Sequence, residues 1–272
     1  MGQRRSIAQT ASVRLAALLG MGLVAAASFA QGVGRIPEAQ DPQKVPTKGR
    51  QEWVIAAYLG GARTASSTLR ISQPARNTQL AFDAVRLDSR SFDPPLYYGV
   101  RGSYFIRGLP FLGIEAEFIH MKVYADPTQR VRVTGRYRDV WLEQELPLGQ
   151  IVQEYSISHG LNLLLFNLVA RARMLRSADV PRGRLLLNAR FGLGPTIPHT
   201  ESTIEGERQQ QYEWGRAAWQ WSAGVEFHLW RGLYALGEYK FTRTRQRGLV
   251  VGGFAESLLR THHGVFGLSY HF

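Results

Sequence analysis

Four side chains of types that ligate divalent transition metals fall where alternating apolar segments end: His120, His159, His199 and Glu201. Imidazole nitrogen and carboxylate oxygen suit zinc, iron or copper, and ligands from neighbouring strand ends can converge on one ion. His120 closes GIEAEFIH and His159 opens SHGLNLLLFNL after a long loop, so the two are expected close together at one rim. His199 and Glu201 follow the next segment at the same end, where His262 and His263 add a further pair. The alternative for each is an imidazole that is solvated or bonded to loop backbone. Two other constellations invite chemistry. Glu115 and Glu117 stand two apart, as a general acid and base could, but the arginines predicted on neighbouring strands point to partnered structural carboxylates. Ser269 and His271 share a face in SYHF, at the end of the molecule away from that rim, with no acidic third member evident nearby, so a hydrolytic dyad is not expected.

The elements that would position these groups are strands. Alternation of apolar and polar residues recurs through the chain and helical periodicity is poor. Eight strands are expected near 51–61, 95–106, 111–123, 156–173, 184–195, 214–229, 231–245 and 259–272. Three connections are short: GLP, MLRSADVPRG and WRG. The other four, roughly 62–94, 124–155, 196–213 and 246–258, are long. Strict alternation of short and long connections is the habit of transmembrane barrels, with tight turns on one side and extended loops on the other. The expected fold is therefore all-β, an eight-stranded antiparallel up-and-down transmembrane β-barrel.

Parity sorts the faces. Leu185, Leu187, Ala189, Phe191 and Leu193 fall on one side of the fifth strand, and Trp219, Trp221, Ala223, Val225 and Phe227 on one side of the sixth. The opposite parity collects Arg101, Glu115, Glu117, Arg171, Arg184, Arg190, Glu226, Glu238 and Lys240. Eight strands enclose a lumen just filled by side chains, so these charges are expected as a connected ion-pair network, with Asn162 and Asn167 bonding within the lumen and no open pore. Aromatic residues toward the strand ends, among them Tyr98, Tyr104, Trp214, Trp230, Tyr270 and Phe272, fit interfacial girdles.

Residues 1–30 carry Arg4, Arg5 and Arg14, then LAALLGMGLVAAASFA with small residues Ser28 and Ala30, the pattern of a secretory signal peptide. Residues 31–50 are rich in Gly, Pro and charge and are expected to form a flexible periplasmic segment, leaving 51–272 for the barrel. The formal charge is +12 and cysteine is absent, which excludes disulfides, thiolate metal sites and a cysteine nucleophile. The second long loop places Arg130, Arg132, Arg136 and Arg138 together, and guanidinium groups suit bidentate phosphate contacts, so lipopolysaccharide is an expected neighbour, with generic loop solubility as the equal alternative. Export makes nucleic acid an improbable partner, and no glycine loop follows a strand to cradle phosphate.

GVFGLSYHF, apolar at every second position and ending in Phe272, resembles the C-terminal strand that outer-membrane proteins present to the barrel-assembly machinery. Over about 51–272 the architecture is similar to the small eight-stranded barrels of the OmpA and opacity-protein type, which implies a bacterial outer-membrane location. SFDPPLYYGVRGSYF, LGIEAEFIHMKVYAD and SHGLNLLLFNL are also similar to stretches of outer-membrane lipid A oxidases, which implies a rim site facing a sugar phosphate of the outer leaflet. The leading expectation is a structural or surface-interaction barrel at lipopolysaccharide. The alternative is a lipid A-modifying enzyme that uses the rim histidines, with a divalent metal ion as its possible cofactor.

Overall fold

The computed structural model describes residues 51–272; the expected signal peptide (1–30) and the expected periplasmic segment (31–50) lie outside the described residues. The strands run in order as β1 (Glu52–Thr64), β2 (Ser67–Gln73), β3 (Thr78–Val85), β4 (Leu87–Asp88), β5 (Tyr98–Phe105), β6 (Leu112–Ala125), β7 (Arg130–Tyr137), β8 (Val140–Pro147), β9 (Val152–Met174), β10 (Leu185–Gly194), β11 (Thr196–Ile204), β12 (Glu207–Tyr212), β13 (Ala218–Trp230), β14 (Leu233–Val250) and β15 (Gly253–His271). Eight of them close a ring in the order β1-β5-β6-β9-β10-β13-β14-β15. The seam pairs β1 with β15 from Val54↔His271 to Thr64↔Thr261, and the ring pairings are antiparallel throughout. This is the eight-stranded up-and-down barrel that the alternation predicts, and each expected segment overlaps one ring strand.

The long connections differ from expectation. The first carries β2, β3 and β4, the second the β7–β8 hairpin, and the third the β11–β12 hairpin. The expected fourth loop, 246–258, is no loop: β14 and β15 pair without a break from Leu233↔Tyr270 to Val250↔Gly253, so the turn is only Val251 and Gly252. Strand pairing satisfies backbone groups that an irregular loop would leave to water, and it continues the ring outward as a second sheet. Glu256 and Phe254 of β15 pair with β2, β2 with β3, β3 with β7 and β7 with β8. On the other side β9 pairs with β11, and β11 with β12.

Two halves of opposite character result. Around the turn end, the outward residues of the ring are apolar and exposed: Trp53 and Ile55 on β1, Phe166 and Leu168 on β9, Phe191 and Leu193 on β10, Phe227 on β13, Phe266 and Leu268 on β15. On β13 this face runs from Trp219 to Leu229; ten rises of ~3.3 Å tilted by ~40° give a belt about 25 Å tall. In the upper half the greasy residues point inward instead. Leu69, Ile71, Leu80, Phe82, Val131, Val133, Leu148 and Val152 form a dry cluster at the centre of the outer sheets.

Inside the belt the lumen is a polar network. Glu117 accepts from Tyr58 at 2.7 Å, Asn167 at 3.0 Å and Lys240 at 2.6 Å. Glu238 receives Arg101 and Arg190, each at 2.8 Å, and lies 2.6 Å from Lys240. Glu115 receives Arg190 at 3.0 Å and Ser103 at 2.6 Å. Near the turns, Arg171 clasps Glu52 through two bonds of 2.9 and 2.8 Å. Buried charge needs such partners, because water is excluded. Above the network an apolar layer that includes Ile119, Leu161, Leu163 and Leu165 fills the barrel.

Candidate functional site

The lumen collects Arg101, Glu115, Glu117, Arg171, Arg190, Glu226, Glu238 and Lys240, all buried. Arg184 is the exception: β10 begins at Leu185, and Arg184 is an exposed residue of the preceding turn, its amide bonded to Leu175 O at 3.1 Å. Parity counted one residue past a strand's end assigns a face that the turn does not keep. Asn167 faces the lumen, whereas Asn162 faces outward.

The turn end also holds what the sequence reading lacked. His271 Nδ1 lies 2.9 Å from Glu52 and its Nε2 2.8 Å from Glu226, while Ser269 Oγ lies 3.3 Å from the same Nε2. Acidic partners for the serine and histidine are therefore present, contrary to expectation. They do not make a nucleophile. A carboxylate occupies each ring nitrogen of His271, and Ser269 gives its hydrogen to Glu226 at 2.6 Å. With the serine hydrogen directed at Glu226 and not at the ring, and all four residues buried, the group is a lumen polar cluster.

At the rim, the outer wall of β9 carries the histidine cluster. Gly160, at φ +125°, bulges β9 beside His159, and a Cβ there would stand 2.7 Å from His120 Cε1. A matching register shift between Pro198 and Thr200 lets β11 bring His199 and Glu201 against the bulge. Glu201 Oε1 lies 2.6 Å from His159 Nδ1 and 3.3 Å from His199 Nδ1, and Ser158 Oγ donates to the same oxygen. Arg208 holds Oε2 at 3.2 Å, and the Tyr212 ring covers His199 at 4.2 Å between centroids. Burial pushes the Glu201 carboxyl up, but the hydrogen bonds from Ser158 and His159 outweigh it and hold Glu201 below the usual carboxylate range. Burial pushes the His199 imidazole down, against the pull of Glu201. The donor atoms of His159, His199 and Glu201 lie within 4.8 Å of one another, a set that could hold a metal ion.

His120 does not join them. Its Nδ1 bonds Asn162 Oδ1 at 2.8 Å and its ring stacks on Tyr98 at 5.1 Å, one step nearer the belt. His262 and His263 point to opposite faces: His262 meets Tyr239 outside at 2.6 Å, and His263 bonds Thr242 in the lumen at 2.8 Å.

Arginine is arranged differently from expectation. Arg130, Arg132, Arg136 and Arg138 lie on or just after β7, which joins the ring only through β3 and β2, so all four stand off the barrel wall. Arg132 is paired with Glu143, and Arg138 with Glu205 at 2.8 Å. The wall has its own row. The outward face of β14 reads Tyr239, Phe241, Arg243, Arg245, Arg247, and Arg243 stands directly opposite Arg260 of β15. Arg245, Arg260 and Arg70 line a groove of about 420 Å³ with Ser66 and Thr68. Nearby Glu256 is engaged by Arg216 at 3.0 Å and Arg247 at 4.0 Å. Among the described residues no carboxylate pairs with Arg243, Arg245 or Arg260. The every-second-residue spacing of 243, 245 and 247 signals this row; Arg243 and Arg245 already fall within the expected seventh strand, and the extension of β14 past residue 245 adds Arg247.

No protein-family model matches the sequence, and no curated protein matches it. Solved structures with a similar path include Neisserial surface protein A, at 8% identity over 81% of this chain and 97% of that one, with a TM-score of 0.38. The attachment invasion locus protein Ail of Yersinia pestis, solved with the heparin analogue sucrose octasulfate, aligns at 8% identity over 82% and 99%, with a TM-score of 0.35. The outer membrane protease OmpT of Escherichia coli aligns at 10% identity over 86% and 99%, with a TM-score of 0.45. The likeness is one of architecture.

Proposed function

We propose that the chain is an outer-membrane β-barrel that spans the bilayer with its belt half, holds its upper half outside the cell, and binds phosphorylated headgroups of outer-leaflet lipid, lipopolysaccharide above all, through Arg243, Arg245 and Arg260. A belt about 25 Å tall, covered by exposed aromatic and aliphatic side chains around a closed ring, matches a bilayer core and has no counterpart on a soluble surface. The closed ring leaves no backbone edge in hydrocarbon. The observation that carries the lipid contact is the step from Phe241 to Arg243 on one strand face, with Arg243 opposed to Arg260. Like charges directly across a strand pair repel, and an anion between them removes the repulsion while matching the guanidinium fork.

The test is the lipopolysaccharide retained after extraction from the outer-membrane fraction in mild detergent. The wild-type chain keeps bound lipopolysaccharide, and R243Q/R245Q/R260Q retains far less while folding equally well. Equal retention by the triple variant removes the lipid contact, and recovery of a folded chain from the soluble fraction removes the membrane placement.

A catalytic reading has one specific support, the convergence of His159, His199 and Glu201 on the outer wall at the level where headgroups would lie. In that reading the site modifies lipid A. Its check is the mass spectrum of lipid A with and without the gene and with H159A; spectra that do not change refute it.

A further inference from the structure

We infer that His159 Nδ1, His199 Nδ1 and Glu201 Oε1 form a three-ligand site for a zinc-class divalent ion with a fourth, exchangeable position, and that His120 takes no part. This deepens the catalytic reading but is decided by metal binding alone, which is measured apart from lipid chemistry.

The geometry is that of a ligand set drawn together without its ion. Metal–ligand bonds of about 2.0–2.1 Å at tetrahedral angles put neighbouring ligand atoms about 3.3 Å apart. His199 Nδ1 and Glu201 Oε1 stand at 3.3 Å, and His159 Nδ1 at 2.6 Å from that oxygen needs only a small side-chain swing outward, which its exposed position allows. Hydrogen bonding alone accounts poorly for the arrangement. Ser158 Oγ and His159 Nδ1 already crowd one carboxylate oxygen, and His199 Nδ1, although buried, stands 3.3 Å from that oxygen without an aligned hydrogen bond. A cation between the three converts that crowding into coordination, since each atom then offers a lone pair.

The surroundings complete the set. Arg208 holds the second Glu201 oxygen at 3.2 Å, the kind of outer contact that orients a metal-bound carboxylate. Tyr212 packs on one face of His199, so that ring cannot turn away freely. His159 is exposed while Glu201 is nearly buried, so the fourth position opens toward the outside of the wall. Two histidines, one glutamate and one open position make up the donor set of catalytic rather than structural zinc. With Arg208 beside it, the open position favours an anionic oxygen ligand such as a phosphate or carboxylate.

The experiment is a zinc titration of the full detergent-purified chain, stripped with chelator, against a chromophoric competitor. Expected is one equivalent bound, weakened by more than about 100-fold in H199A and in E201Q, since each removes a ligand where even outer-shell changes cost 10–100-fold. The exposed H159Q variant, which leaves the strand packing intact, shows a similar loss and covers the case in which H199A or E201Q fails to fold. H120A and H262A bind as the wild type does. Cobalt in place of zinc gives the intense visible bands of a four-coordinate site, and added phosphate shifts them. Absence of stoichiometric binding by the folded wild-type chain overturns the inference, and so does binding that H159Q and H199A leave unchanged or that H120A abolishes.

Discussion

The belt half and the upper half share the strands β9, β14 and β15, yet each is the other turned inside out. Along β14 the inward residues Tyr234, Glu238, Lys240 and Thr242 give way to Gln246, Gly248 and Val250, while the outward residues change from Tyr239 and Phe241 to Arg243, Arg245 and Arg247. No register shift marks the crossing, because the β14–β15 ladder is continuous. The period-two backbone is thus indifferent to which face is apolar; the medium decides. Where hydrocarbon lies outside, the centre must carry the polar groups and pair its charges. Where water lies outside, the centre can be Phe82, Val133 and Leu148, which need no partners.

The sharpest break of this comparison removes one charge from the polar centre. Lys240→Met keeps the volume but leaves Glu117 and Glu238 without their shared ammonium, and is expected to cost about 3–5 kcal/mol, read from unfolding of the detergent-solubilised barrel. In the apolar centre the corresponding lesion is a cavity. Leu80→Ala is expected to cost about 2–5 kcal/mol and to expose the upper half to protease before the barrel unfolds. A single charge placed outside each half then tests the boundary itself. Leu187→Lys, in the belt, is expected to cost about 2–4 kcal/mol in lipid, whereas Leu249→Lys, equally exposed but above the belt, changes stability by less than about 0.5 kcal/mol. Equal costs would mean that no bilayer separates the two positions.

A smaller loss than those of Lys240, Leu80 and Leu187 concerns Glu205, which ties the upper hairpins together through Tyr137, Arg138 and Arg76. Burial raises its carboxyl, but the bonds from Tyr137 and Arg138 prevail and hold it below the usual range. A carboxyl lowered in the fold stabilises above its unfolded value and loses that contribution as pH falls through the folded one. The upper half therefore melts at lower temperature as pH drops below about 4. Glu205→Gln is expected to cost about 1 kcal/mol at neutral pH, reduced by the exposure of Arg138, and to flatten that acid limb.

The ring was legible because every belt strand alternates cleanly over eight or more residues, and parity alone sends Glu117, Arg190 and Lys240 inward. The upper sheets were less so. Leu69 and Ile71, Leu80 and Phe82, Val131 and Val133 keep the same period, but their segments are short and interleaved with arginine and glutamine, and so read as loops. The rim cluster was half legible. Strand order brought His159 to His199 and Glu201, but the bulge at Gly160 and the hydrogen bond to Asn162, which hold His120 apart, leave no mark in spacing. Nor did spacing show that Glu52, 219 residues from His271, would be its partner. That contact exists only because the ring closes.

One strand serves two closures. β15 seals the cylinder against β1 over its lower part and anchors β2, and through it the outlying sheet, near its upper end. A chain stalled before β15 is placed therefore lacks both the seam and the anchor for the platform above it. The β2–β3 surface works in consequence as a gauge of completed closure, and an antibody raised against its folded form should recognise finished molecules and ignore those whose ring is still open.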